Sequence, residues 1–267
     1  MVTCTGPIGL PSREFICAMT ILNDEVFVVS KATYKVEVYT FDTSTLKRRI
    51  NVGALTEPFD MASSVESNCI YISDKYNGGS VHRVKATGKV TTWRVDDMPD
   101  GLSMMLDGVG VLVTCRTVGE LKEYSTVGEF VCKIRLQEDL LHPRHAAQVA
   151  HGLFAVCHGI RADSLRGVSI VDENGSVAMQ YRLDIIDAVD PAMETTVIIR
   201  AAVRMVVDAN RSIIVVDSGA GKILLFNDAL TYTGELVVPF VFGRSWCPTR
   251  ICLDASGCRF FVSYMVG

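Results

Sequence analysis

The sequence predicts an all-β fold, a six-bladed β-propeller of four-stranded antiparallel blades whose sixth blade is incomplete or open. Six short apolar runs with strand-like composition recur along the 267 residues, and their last residues are 44, 41, 42, 60 and 47 positions apart. A tight turn precedes each run, and further strand-like segments follow five of them. A period of about 40–45 residues with four short strands per repeat is typical of propeller blades.

The six runs are predicted to be the second strands of the blades. They are VFVVS (26–30), IYISD (70–74), VLVTC (111–115), LFAVC (153–157), IIVVD (213–217) and FFVSY (260–264). Each is preceded by an apolar first strand, and in five repeats a polar loop leads on to a third and a fourth strand, such as KILLF and TGELVV in repeat five. We therefore place the blades at about 13–53, 54–96, 97–137, 138–183, 197–239 and 246–267.

Two segments depart from the repeat. The long step between repeats four and five contains an acidic insertion, 184–196, which we expect to be either a tolerated surface loop or a lid that competes with an anionic ligand. Repeat six has only its first two strands before Gly267, so either the blade is incomplete or the chain is a fragment of a longer product. Residues 1–12 are a possible closing strand, and a second copy of the chain is the other way to cover the open edge.

Composition excludes several classes of function. The net charge of −4 argues against nonspecific nucleic-acid binding over the whole surface, and no apolar run reaches the roughly 18 residues of a membrane span. No secretory signal is recognisable, so we expect a cytoplasmic protein. The nine cysteines include no Cys-x-x-Cys pair, which favours reduced cysteines in a core. Cys115 and Cys157 are either buried strand ends or reactive thiols beside basic neighbours.

The glycine-rich segment Gly219-Ala220-Gly221-Lys222 is predicted to be a hairpin turn. A phosphate-binding loop must open a helix, whereas KILLF, which begins at Lys222, has the composition of a strand. The first glycine of that motif and its final Ser or Thr are also missing. Nucleotide chemistry at this turn is therefore excluded.

Two repeats resemble the NHL repeat, in which an apolar run ends in Asp and a polar loop leads to a strand with a basic-apolar pair. IYISDKYNGGSVHRV matches this pattern at Asp74 and Asn77, and IIVVDSGAGKILLF matches it at Asp217 and Lys222. The other repeats depart from it, with Ser30, Cys115, Cys157 and Tyr264 at the Asp position. The resemblance implies a divergent NHL-type propeller, similar to the C-terminal propeller of TRIM-NHL proteins.

One face of the predicted disc is richer in basic groups than the chain as a whole. Residues that follow the second strands and residues that open the innermost strands share this face. We predict a binding face made of Lys31, Lys75, Arg116, Arg144, His145, His158, Arg204, Trp246 and Arg250. Asp60 is the acidic residue we place at the axis, and Asp100 is a second candidate.

These residues favour a noncatalytic scaffold that presents loops to a protein or peptide partner. One alternative is single-stranded RNA binding, for which Trp246, Tyr76 and Arg side chains offer stacking surfaces. The other is a metal-dependent hydrolase or lyase with an axial site. We expect no catalytic residues, no metal and no cofactor, because only His145 among the histidines opens an innermost strand. No membrane partner is expected, and self-association through the sixth blade is possible.

Overall fold

The computed structural model is a β-propeller of four-stranded antiparallel sheets, which confirms the predicted fold class. Within the described residues it has five complete blades and a two-stranded sixth sheet, so the expected incomplete sixth blade is also confirmed. The complete blades therefore number five, not six. The structure describes residues 15–31, 35–53, 55–140, 142–159, 167–182, 199–236, 246–254 and 259–266.

The strands of each sheet follow one another along the chain. Blade one contains β1 (Ile16–Leu22), β2 (Glu25–Ser30), β3 (Val36–Thr40) and β4 (Leu46–Ile50). Blade two contains β5 (Pro58–Ser64), β6 (Cys69–Asp74), β7 (Ser80–Lys85) and β8 (Val90–Arg94). Blade three contains β9 (Pro99–Met104), β10 (Gly110–Cys115), β11 (Glu120–Ser125) and β12 (Phe130–Arg135). Blade four contains β13 (His145–Ala150), β14 (Leu153–His158), β15 (Gly167–Asp172) and β16 (Val177–Arg182). Blade five contains β17 (Ala202–Val207), β18 (Ile213–Asp217), β19 (Lys222–Phe226) and β20 (Tyr232–Leu236). The sixth sheet contains β21 (Trp246–Leu253) and β22 (Phe260–Val266).

The first strands of the six sheets form a closed ring around the axis. β1 contacts β5, and the contacts continue through β9, β13 and β17 to β21, which returns to β1. The other strands of each sheet lie progressively farther from the axis in chain order. The sixth sheet thus occupies a full position in the ring although it has only two strands.

The cores lie between neighbouring sheets, which explains why the second strands read as continuous apolar runs. In β6, Ile70 and Ile72 pack towards blade one while Tyr71 packs towards blade three, so both faces of the strand are buried. A strand covered on both sides needs no polar alternation. The outermost strand β12 shows the contrast, since most of its residues are exposed.

The glycine-rich segment of blade five is a hairpin turn, as predicted. Asp217 at the end of β18 pairs with Lys222 at the start of β19, and Gly221 takes the left-handed conformation with φ of 69°. No phosphate-binding helix follows, since the next element is a strand.

Two predicted segments, the closing strand at 1–12 and the insertion at 184–196, lie outside the described residues. Within the described part of the chain the helical structure is limited to a 3₁₀ turn, Tyr76–Gly78. No helix there is long and apolar enough to cross a membrane.

Candidate functional site

Bulges at the start of the innermost strands determine which side chains face the axis. In β5 the register shifts just before Asp60, so Phe59 is the extra residue. In β9 the extra residue is Asp100, and in β17 and β21 equivalent shifts lie directly before Arg204 and Arg250. Because a bulge bends its strand and re-aims the adjacent side chains, these residues converge from different blades.

The convergence produces one polar cluster at one end of the axis, which we call the axial cluster. Its members come from the starts of innermost strands and from the residues that follow second strands. They are Phe59, Asp60, Lys75, Asp100, Arg116, Arg144, His145, Arg204 and Arg250.

The ring of Phe59 lies at the centre of the basic side chains. The Nζ of Lys75 is 3.0 Å from the ring centroid, and the guanidinium carbons of Arg204, Arg250 and Arg144 are 4.8, 5.2 and 5.5 Å away. Each of these separations is within cation–π range. One aromatic side chain therefore contacts cations from four different sheets.

Asp100 is a buried carboxylate that lies near three of the cations, Lys75, Arg144 and Arg116. Its Oδ1 is 2.6 Å from the Nζ of Lys75, and its Oδ2 accepts a hydrogen bond of 2.7 Å from Nη1 of Arg144. Nη1 of Arg116 is farther away, at 4.0 Å. The pKa of Lys75 is lowered to about 8, chiefly by burial and to a smaller extent by the positive charges of Arg144 and Arg204, against the opposing effect of Asp100.

Asp60 and His145 form a second buried pair. Asp60 accepts hydrogen bonds from the backbone N–H of Leu102 at 2.8 Å and from Nε of Arg204 at 3.2 Å. Nε2 of His145 is 3.1 Å from the carbonyl oxygen of Leu102 and 3.4 Å from Oδ2 of Asp60. Since a carbonyl only accepts, we place the imidazole proton on Nε2.

Burial keeps this imidazole neutral. It lowers the pKa of His145 to about 4, against the opposing effect of Asp60 and with a smaller contribution from Arg204 in the same direction. Nδ1 of His145 is buried and has no hydrogen-bond partner among the described residues. Gly101 allows this close packing, because a Cβ there would lie 2.8 Å from the carbonyl oxygen of Arg144.

Arg204 and Arg250 are buried and bind backbone carbonyls across the axis. Nη2 of Arg204 donates to the carbonyl oxygens of Phe59 at 3.2 Å and Asp100 at 3.1 Å. Nε of Arg250 donates to the carbonyl oxygen of Cys17 at 2.6 Å. Burial lowers the pKa of Arg250 to about 9, and the charge of Arg204 contributes to the decrease.

The axial cluster has an excess of positive charge, and its side chains differ in their exposure to solvent. Five basic side chains meet two carboxylates among its described residues, and the imidazole is neutral. The side chains of Arg116 and Arg144 are 27% and 18% exposed, whereas those of Lys75 and Arg204 are only 8% and 3% exposed. An anion from solvent therefore meets Arg116 and Arg144 first.

Six of the nine predicted binding-face residues belong to the axial cluster, and three do not. Lys31 is exposed at the end of β2. His158 is completely buried in blade four, where its Nε2 is 2.9 Å from Oγ of Ser169, so it cannot present its ring on a binding face. Trp246 pairs through its backbone with Val266, and its side chain lies outside the described part of the structure.

Three members of the predicted binding face lie buried near the axis. Arg204, Arg250 and His145 point into the ring and are buried, and in the case of Arg204 and Arg250 a bulge directly before the residue turns its side chain towards the axis. The sequence-based reasoning also missed Phe59, which is an ordinary apolar residue in a strand and carries no signal of its role.

The aspartates that carry the NHL resemblance stabilise the fold of their blades. The carboxylate of Asp217 accepts backbone N–H bonds from Arg200, Ala201, Gly219 and Ala220, at 2.6, 2.7, 3.1 and 3.1 Å. Asp74 binds the equivalent backbone of blade two. Burial raises its pKa, but the interaction with His82 and these backbone hydrogen bonds outweigh that effect and lower it. Each carboxylate thus joins the chain that enters a blade to the loop after its second strand.

Cys115 and Cys157 are buried, which excludes the reactive-thiol interpretation. Burial raises the pKa of Cys115 to about 12 and that of Cys157 still further. The described residues contain no group of three or more His, Cys, Asp or Glu side chains arranged to hold a metal ion.

The fold has many structural relatives, although no family model and no curated protein matches the sequence. The chain is similar to hydrazine synthase of Kuenenia stuttgartiensis, with a TM-score of 0.64 and 12% identity over 94% of each chain. It is similar to a catalytically inactive virginiamycin B lyase from Staphylococcus aureus with quinupristin, with a TM-score of 0.66 and 10% identity over 94% of this chain and 78% of that one. A nidogen/laminin complex structure matches with a TM-score of 0.63 and 8% identity over 84% of this chain and 80% of the other. At these identities the similarity establishes the propeller fold alone.

Proposed function

We propose that this chain is a noncatalytic propeller that binds a protein or peptide partner through the face that carries the axial cluster. The observation that carries the proposal is the convergence of five basic side chains from five sheets around the Phe59 ring and two carboxylates. A cluster with excess positive charge attracts an acidic surface and repels a basic one. The preferred partner therefore presents an acidic segment.

The charge of the axial cluster also bears on the metal-dependent hydrolase or lyase alternative. A divalent cation at the axis would lie among Lys75, Arg204 and Arg250, and Coulomb repulsion is strong where side chains are buried. An axial catalytic metal is therefore disfavoured relative to an anionic group. Metal content, measured by mass spectrometry on the purified protein, tests this alternative directly, and a stoichiometric metal would contradict the proposal.

Similarity to a chain of the nidogen/laminin complex gives the proposal limited support, because a fold of this kind occurs there in a protein–protein complex. We also propose that the chain is a divergent NHL-type propeller located in the cytoplasm. This assignment is supported by the placement of Asp74 and Asp217 and by the free state of the described cysteines. Self-association through the sixth sheet stays a prediction, which a native mass tests.

The proposed function is tested with defined acidic peptides. Fluorescence anisotropy compares a labelled peptide rich in Glu with the same peptide carrying Gln, on wild type and on the double variant Arg116→Ala/Arg144→Ala. We expect the acidic peptide to bind more tightly, and the double variant to bind it at least about tenfold more weakly. The matched control is Lys85→Ala/Lys89→Ala, which removes two exposed charges from a turn of blade two and leaves the axial cluster intact.

Two outcomes would overturn the protein-binding proposal. Equal losses in the double variant and in the control would show that the peptide responds only to overall charge. Tighter binding of a single-stranded RNA oligonucleotide than of the acidic peptide, abolished by the double variant, would favour the RNA alternative. Exposed Tyr76, beside Lys75, is the aromatic side chain that RNA stacking would use, so Tyr76→Ala identifies that mode.

A further inference from the structure

Arg144 has a hydrogen-bond donor that the ion pairs within the axial cluster do not use. Nη1 of Arg144 is bound to Asp100, but its Nε–H is buried and has no acceptor among the described residues. Buried polar groups in native structures nearly always have partners, so this unused donor indicates the position of a missing acceptor.

From this arrangement we propose that the axial cluster is a binding site for a single carboxylate group, held by Arg144 and Arg116 beside the ring of Phe59. The inference rests on the proposed function and names its anchor, an acidic side chain of the partner. A carboxylate is the group whose two oxygens match two parallel N–H donors of a guanidinium.

Arg144 is suited to this role because only part of its guanidinium is occupied. The group has five donors, and the hydrogen bond to Asp100 uses Nη1. Arg144 and Arg116 are also the most exposed of the five cations, so an incoming group reaches them without displacing the buried ties of Arg204 and Arg250.

One observation favours a carboxylate over a phosphate. Asp100 already lies between Lys75 and Arg144, which shows that the cluster accommodates a carboxylate between its cations.

Bound negative charge also affects Lys75, which faces Asp100, Arg144, Arg204 and the Phe59 ring. Its pKa of about 8 rises when an anion joins the cluster, so binding takes up protons near that pH. By the same linkage, carboxylate affinity decreases as the pH rises from 7 to 9. A residue that only stabilises the fold would not produce this dependence.

The test uses small probes on the full chain, observed by NMR at the side-chain Nε–H of Arg144. Glutarate is compared with glutaramide, which has the same length and no charge, and with inorganic phosphate. We expect a saturating shift of the Arg144 resonance with glutarate and none with glutaramide. Arg144→Lys keeps the charge but removes the guanidinium and the observed resonance, so its affinity is measured by titration calorimetry. It should weaken glutarate binding about tenfold or more, whereas Lys85→Ala should not change it.

Each other result contradicts the inference in a specific way. Phosphate binding tighter than glutarate binding would overturn the carboxylate assignment, and the absence of any shift would overturn the site. If Arg144→Lys fails to fold, Arg116→Gln supplies the second variant. If the protein binds the acidic peptide but not glutarate, the proposed carboxylate site is wrong and the proposed protein-binding function is still supported.

Discussion

Replacing Asp217 by Asn tests whether the aspartate of the NHL-like pattern serves stability. Its buried carboxylate accepts four backbone N–H bonds, two of them from Arg200 and Ala201 at 2.6 and 2.7 Å. A hydrogen bond to a charged group contributes about 1.5–3 kcal/mol, and Asn turns an NH₂ group towards donors while keeping one oxygen. With two of the four bonds lost, we expect the free energy of unfolding to fall by about 3–5 kcal/mol.

Urea denaturation followed by tryptophan fluorescence measures this loss, and an unchanged m-value shows that the cooperative unit is the same. The control is Asp172→Asn, whose carboxylate binds the N–H groups of Asn174 and Ser176 in a solvent-accessible turn. Water replaces those contacts, so we expect a loss below about 1 kcal/mol. Equal small losses in both variants would refute the structural role of Asp217.

Three further predictions concern buried residues. The pKa of His145 is about 4 in the fold against an ordinary value of about 6.5, so the unfolded chain binds a proton that the folded chain does not. Wild type should therefore lose about 3 kcal/mol relative to His145→Gln between pH 7 and pH 4, and parallel curves for the two proteins would contradict this. Gly101→Ala should cost about 1–3 kcal/mol in urea denaturation and weaken glutarate binding, because its Cβ displaces the backbone of Arg144; unchanged binding would show that the cluster tolerates the shift. Iodoacetamide on the native protein should leave Cys115 and Cys157 unmodified in peptide mass spectra, since burial raises both pKa values; rapid labelling of either would overturn their assignment to the core.

The sequence reveals the fold because the second strands are buried on both faces. Runs such as IYISD stay apolar without alternation, and hairpin turns separate them at a nearly constant period, so the repeat is readable without an alignment. The same periodicity places Asp60, Arg144, His145, Arg204 and Arg250 near the openings of innermost strands.

What the sequence does not reveal is the direction of individual side chains. Phe59 faces the cations because a bulge makes it the extra residue of β5, and bulges leave no mark in composition. His158 and Lys75 occupy equivalent positions of the sequence repeat, directly after the apolar run of a second strand. The side chain of His158 nevertheless turns inward to Ser169 of the neighbouring strand. Periodicity assigns a residue to an end of a strand, whereas the local register decides between solvent and core.

Arg250 gives the incomplete sixth sheet an influence beyond its size. This side chain comes from the two-stranded sheet, and its guanidinium reaches the carbonyl oxygens of Cys17 in blade one and Phe59 in blade two. The side chain that connects the last sheet to the first therefore also carries part of the excess positive charge of the axial cluster. Ligand binding and closure of the ring are therefore thermodynamically linked. Any group that binds the closed ring more tightly than the open ring stabilises the docked sixth sheet by the same free energy.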